Sequence, residues 1–228
     1  MKPSVARGAA EAESAAAAFA RRDPFWPAQI SVLATIALDL DLPSKLTLRP
    51  GWILPSLEGL LLLGLIAITP WQAGIQRQRR AVALTLIGVV SAANLLSLLL
   101  LVHYLLHTGH IQGIDLIRAG AEIWVTNVLL FAVWYWELDR GGPLARKLAE
   151  CPPPDFLFPQ MTEERLGRWD WRPNYVDYLY VSFTNATAFS PTDTMPLSSM
   201  AKLLMLVQSL ASLVTLGLVV ARAVNILA

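Results

Sequence analysis

The sequence predicts an all-α integral membrane protein of about five transmembrane helices with one re-entrant loop near its C-terminal end, and three observations predict it. Hydrophobic residues make up 55% of the 228-residue chain and charged residues 15%, more apolar surface than one soluble core of that size hides. Apolar runs recur along the chain, separated by polar, proline-containing or arginine-bearing turns. Between Tyr178 and Asn225 a short aromatic segment, a polar turn ending in Asp193 and Pro196, and a long apolar run adjoin. A spanning segment must satisfy its own backbone, so a polar turn at bilayer depth is tolerated only where it lines a cavity or is buried in protein. That requirement predicts a loop that enters and leaves on one side, followed by a helix.

Residues 1–24 read as a cytoplasmic or disordered arm, alanine-rich but carrying Glu11, Glu13, Arg21 and Arg22, without the compact apolar centre of a cleavable signal. Residues 25–115 hold the N-terminal helices. The first run, 27–42, closes on Asp39, Asp41 and Pro43 and is marginal against the lower limit of about 17 residues for a span. The second, 52–69, ends at Pro70 before the basic turn of Arg77, Arg79 and Arg80, with Glu58 near its start read as interfacial. Residues 81–104 form the cleanest span, with Asn94 and several serines as interhelical hydrogen-bond partners.

Residues 116–228 divide into a helix (116–137), a linker (138–174), a short helix and turn (175–196) and a last helix (197–226) opening at Pro196. The first of these ends in Trp134, Tyr135 and Trp136, which suit an interfacial belt. The linker is proline-rich and extended at CPPPDFLFPQ, with Trp169 and Trp171 at the membrane surface. PDFLFPQMT either docks a soluble partner or folds back on the helices. Asn174 and Asp177 have the spacing of an N-terminal capping box. The short segment 175–186 is about 18 Å long, too short for a hydrocarbon core of about 30 Å.

These residues carry a resemblance. The stretch YLYVSFTNATAFSPTDTMP and the apolar run after it resemble the pore loop and inner helix of the potassium-channel superfamily. Tyr180, Ser182 and Phe183 fall on pore-helix positions, Asn185 on a pore-helix threonine, Thr187 on the threonine that opens the filter, and Asp193 and Pro196 on the filter aspartate and following proline. The filter core departs from the pattern: Ala188 replaces the second threonine, Phe189 the valine, Ser190 and Thr192 the two glycines, and Pro191 the aromatic. Glycine reaches positive φ without strain, whereas Pro191 holds φ near −65°. The resemblance thus implies the two-helix channel-like scaffold without potassium selectivity, and a homo-oligomer, a tetramer, around a shared pore. From Trp134 onward, through WYWELDRGGP, PDFLFPQ and YVDYLYVSFTNATAFSPTD, the chain also resembles a group of uncharacterised bacterial integral membrane proteins, which implies a multi-pass address in the bacterial inner membrane.

The candidate chemistry follows. Thr184, Asn185, Thr187, Ser190, Thr192 and Asp193, with backbone around Ala188, Phe189 and Pro191, form the filter-like region. Gln208, Ser212, Thr215 and Arg222 share one stripe of the last helix, which either lines a pore or is small-polar packing between helices, and Gly217 is a hinge or a close-approach point. Glu122 is an intramembrane acid that serves a proton or cation relay, or else pairs with Arg118 one turn away. His103 and His107 share a face, with His110 beyond, and read as an interfacial cluster rather than a metal site. No catalytic triad, phosphate loop or zinc motif is present, so the chain reads as no enzyme, with no cofactor. The net charge of +1 gives no field for nucleic acid, and one cysteine makes neither a disulfide nor a redox pair.

The function expected is an ion-channel-like, cation-conducting pore in the lipid bilayer; the alternatives are a non-conducting scaffold or signalling module, and a proton-coupled transporter. Basic residues in the arm, in the turn after the second run and in the linker place all three in the cytoplasm, whereas a channel-type loop enters from outside. Either the loop is inverted, an early segment does not span, or the short segment crosses.

Overall fold

Helix ends in this chain are set by identifiable stops, and those stops determine which segments are long. The computed structural model describes residues 26–42, 52–66, 76–107, 113–143, 145–147, 152–162, 171–187 and 193–227. It contains α1 (Trp26–Asp41), α2 (Ile53–Ile66), α3 (Gln76–His107), α4 (Gly113–Leu138), α5 (Tyr175–Thr187) and α6 (Ser199–Leu227). Between α4 and α6 the described residues form three short 3-10 turns and two two-residue strands, β1 (Phe156–Leu157) and β2 (Met195–Pro196), paired antiparallel with Phe156 opposite Pro196. The expected 1–24 arm, the filter core Ala188 to Thr192, His110 and Trp169 lie outside the described residues.

Length separates the helices into two groups. α3, α4 and α6, with 32, 26 and 29 residues, reach about 48, 39 and 43 Å and cover an apolar layer of about 30 Å. Three helices are therefore long and apolar enough to cross a membrane among the described residues. The early runs expected to span form the shorter α1 and α2, with 16 and 14 residues, about 24 and 21 Å.

α4 is the hub, packed against α1, α3, α5 and α6. Its neighbours run in definable directions. Arg80, at the start of α3, donates to the carbonyls of Glu137 and Leu138 at the end of α4, so α3 and α4 are antiparallel. Ala28 and Val32 of α1 cluster with Phe131 to Trp136, while Leu42 clusters with Leu116, Ala119 and Leu101, so α1 runs with α3. Leu61 of α2 joins the same group as Ile87 and Val32, and Leu54 meets Val90 and Ala93, so α2 runs back. The beginnings of α1 and α3 thus share one end of the bundle with the C-terminus of α4; this is the linker end.

α5 and α6 both begin at the linker end as well. Tyr175 packs edge-on against Trp136 with ring centroids 5.9 Å apart, and eleven residues later Ala186 lies beside Trp124, whose indole nitrogen is 3.4 Å from its carbonyl oxygen. Ala201 lies in the cluster of Phe131 to Trp136, whereas at the other end of α6 Val219 lies against Gly120. α6 therefore lies antiparallel to α4, and α5 occupies only about half of that length. The chain has to travel back from Thr187 to Asp193 before α6 starts.

Two starts are fixed by capping. At α5, the Asn174 amide donates to Asp177 Oδ2 at 2.8 Å and Asn174 Oδ1 accepts from the Val176 amide at 2.9 Å, the reciprocal box expected from the spacing. At α6, Ser198 Oγ accepts from the Ala201 amide at 3.2 Å, so the helix opens at Ser199 and not at Pro196. Pro196 is held in β2 instead, because the Leu197 amide donates to the Asp155 carbonyl at 2.8 Å and commits this backbone to the linker.

Candidate functional site

Of the stretch on which the channel resemblance rests, the described residues form α5, β2 and the start of α6, and two buried polar groups hold them. The first is at the linker end. Leu138 is followed by Asp139, Arg140, Gly141 and Gly142, and the last three take φ of +52°, +80° and +96°, a run of left-handed backbone that glycine accepts freely and that turns the chain sharply. The turn presents Asp139, fully buried, to the linker. Its Oδ1 accepts from the amides of Asp155 (2.7 Å) and Phe156 (3.3 Å), and its Oδ2 from the Tyr178 hydroxyl (2.6 Å). Arg146, itself 4% exposed, donates to the carbonyls of Trp136 (2.7 Å) and Asp139 (3.0 Å) and lies over the Tyr178 ring, 5.1 Å from its centroid.

Aromatic packing completes this end. Phe156 and Phe158 are buried against Tyr135 and Tyr178, and Trp171 stacks on Phe158 with centroids 5.5 Å apart. PDFLFP therefore folds back on the helices. The three stretches WELDRGG, PDFLFP and YVDYLY, far apart in sequence, meet here in one cluster. Tyr135 and Trp136 are fully buried in it, and Trp134 donates to Ser91 Oγ at 2.9 Å, so the aromatic triplet is core and not an interfacial belt. The reason is that α4 packs against four helices, so consecutive residues near its end meet different neighbours.

The second group lies deeper, between α4, α5 and α6. Gln208 is fully buried and makes four side-chain hydrogen bonds. Its Nε2 donates to the Ser182 carbonyl (3.0 Å) and Oγ (2.6 Å), while its Oε1 accepts from the Tyr135 hydroxyl and from Asn185 Nδ2 (2.8 Å). Asn185 also donates to the Met205 carbonyl at 2.9 Å and accepts from Ser209 Oγ at 2.9 Å. Ser182 Oγ donates to the Val128 carbonyl at 2.6 Å, and Asn127 donates to Ser212 Oγ at 2.9 Å. This set fixes the depth of α5 against both long helices.

The structure places the sequence-selected residues as follows. Thr184 and Thr187 donate to carbonyls of their own helix, at 2.8 Å each for Tyr180 and Thr184, and Asp193 is exposed at the end of the return segment. Gln208 and Ser212 are buried and bonded to α5 and α4, the arrangement of polar packing between helices, Thr215 is buried with its hydroxyl on the Ala211 carbonyl of its own helix, and Arg222 is half-buried near the far end of α6. Gly217 has open space around it; the close approach is made by Gly120, where an added Cβ would collide with Val219. His103 is exposed and edge-on to Tyr104.

Glu122 is half-buried in α4; of its neighbours, Arg118 was legible from the sequence and Asp41 was not. Asp41 lies within hydrogen-bonding reach of it, and Arg118 acts on it electrostatically. Glu58, expected at an interface, is instead fully buried, because α2 lies between α1 and α3 and its second turn faces Asp39.

No family model matches the chain, and no curated protein and no solved structure matches it. Fold and composition define its class: a mostly helical membrane protein with, among the described residues, three helices long and apolar enough to span.

Proposed function

We propose that the chain is an ion-channel-like protein of the bacterial inner membrane, in which copies of the α4–α5–α6 unit surround a cation-conducting pore with a non-standard filter. One observation carries this reading: α5 starts at the linker end, stops near the level of Trp124, and the chain comes back to that end to start α6. Backbone that turns at bilayer depth needs protein or water around it, which a ring of subunits supplies. The C-terminal carbonyls of α5 aim the negative pole of its dipole at that depth, where it favours a cation. α6 fits such a ring, since only 22% of its apolar window is buried in the chain against 61% for α4, and Leu203, Leu206, Leu210 and Leu213 point outward.

Arg80, Arg140, Arg146 and Arg172 lie at the linker end, which the positive-inside rule assigns to the cytoplasm. The loop then enters from the cytoplasmic side, inverted relative to the channels it resembles.

The test is cation flux through the purified protein in liposomes, comparing potassium, sodium and protons for the parent chain, Thr187→Ala and Asp193→Asn. Flux that changes at least a few-fold in either variant supports a pore; unaltered flux in both removes these side chains from it, and no flux for any ion from folded, inserted protein removes the pore itself.

A second reading has its own observation. Asn185, Gln208 and Ser212 are committed to hydrogen bonds inside one chain, which suits a rigid, non-conducting scaffold that keeps the channel fold. A monomer or dimer in mild detergent favours it, and a closed fourfold ring favours the pore.

A further inference from the structure

The hairpin α1–α2 carries carboxyl groups that the loop module does not use. Its far end stops short of the ends of α3 and α4: Leu42 packs at the level of Leu116 and Ala119, and Asp41 reaches Glu122, about 13 Å inward from Gly113 at 1.5 Å per residue. Asp39, Asp41, Glu58 and Glu122 therefore occupy one layer beneath the far end of the bundle. Within it, Asp39 and Glu58 lie within hydrogen-bonding reach of each other across the α1–α2 interface. Asp39 is 7% exposed and Glu58 0%.

Neither oxygen of Glu58, nor Oδ2 of Asp39, receives a hydrogen bond from a donor among the described residues. Thr35 is also near Glu58, but its hydroxyl proton goes to the Val32 carbonyl at 2.8 Å. The described cation acting on the layer is Arg118, which is exposed and bears on Glu122 rather than on this pair. Two ionised carboxylates taken out of water side by side, with neither donor nor cation among the described residues, would each carry an uncompensated desolvation cost. A single proton removes the problem, because it neutralises one group and turns it into a donor to the other. No group of three or more acid, histidine or cysteine side chains able to hold a metal is found among the described residues.

We propose that Asp39 and Glu58 form a proton-binding site, one proton shared between two carboxyls, that joins α1 to α2 inside the bundle. Release of the proton leaves two negative charges facing each other there, with Asp41 and Glu122 adding like charge and Arg118 the described cation that acts on the layer. Because the folded chain holds a proton that the unfolded chain releases at neutral pH, the stability contributed by this site is lost as pH rises. The site is separate from the loop module and does not depend on whether the protein conducts.

Purified full-length protein tests this by infrared spectroscopy and thermal unfolding across a pH series. The parent chain is expected to show a protonated-carboxyl C=O band at neutral pH that shifts in heavy water, and an unfolding midpoint that falls as pH rises. Compared in a Glu122→Gln background, which takes that neighbouring carboxyl out of the readout, Asp39→Asn/Glu58→Gln, where amides replace the proton as donor, loses the band and has a midpoint independent of pH over the same range. Glu58→Gln alone, which supplies a donor to Asp39, keeps the fold and removes the fall. A parent chain without the band, a fall that persists in both variants, or a midpoint that follows sodium or potassium concentration instead of pH would each overturn the proposal.

Discussion

Gln208 illustrates how a single side chain can set the depth of an element. An amide has two donors and one two-lone-pair acceptor, and here both ends are used, on Ser182 and on Tyr135 and Asn185. Replacement by an apolar residue of similar length orphans those partners inside the bundle, each at about 1–3 kcal/mol if no substitute is found. Gln208→Leu is therefore expected to lower unfolding stability by about 1–3 kcal/mol, and Ser209→Ala, which removes one half-buried hydroxyl, by clearly less. Chemical unfolding of the purified variants in mixed micelles measures both. Asp139 plays the same part at the linker end: its carboxylate is spent on two amides and a phenol, and Arg146 and Arg140 stand close enough to balance its charge.

At the level of elements, the contact of α4 with α6 depends on a missing side chain. Gly120 lets Val219 sit where a Cβ would otherwise be, the close approach that small residues permit between membrane helices. Gly120→Ala should cost about 1–3 kcal/mol through overpacking, and Val219→Ala should recover most of that cost in the double variant while being mild alone. Additive effects in that cycle would mean that the two residues do not touch. The sequence pointed to Gly217 for such a role, because a glycine near the middle of an apolar helix is easy to notice; what it could not reveal is which face meets a partner.

Helix existence and the capping box of α5 were readable, since apolar runs and Asn174 with Asp177 are local signals. The start of α6 was not, since Pro196 is diverted by a hydrogen-bonded neighbour forty residues upstream in the linker. Glu58 was misplaced for a related reason: its position near a helix start says nothing of the acid that α1 brings against it. The polar stripe of α6 was visible as a stripe, and its direction became clear only once α4 and α5 were packed on it.

On the scale of the whole molecule, helix directions and charge meet in one statement about orientation. The beginnings of α1, α3, α5 and α6 and the end of α4 share the linker end, together with Arg80, Arg140, Arg146 and Arg172. Cys151, the single cysteine in the sequence, immediately precedes exposed Pro152 and Pro153 at that end, so it serves as a natural reporter. A membrane-impermeant maleimide should modify it in inside-out vesicles and not in intact cells, while Ile114→Cys in a Cys151→Ser background should behave in the opposite sense. Labelling of Cys151 from outside would reverse the assigned orientation.

The smallest secondary structure in the chain has the widest reach. Phe156 and Leu157 are paired antiparallel with Pro196 and Met195, and the Leu197 amide donates to the Asp155 carbonyl, so the linker and the stretch leading into α6 are laced side to side. A tug on Pro152 to Phe158 is carried as shear across this ladder into the backbone that leads into α6, without passing through α5. Whatever takes hold of the linker from outside the bundle thus has a mechanical handle on the loop.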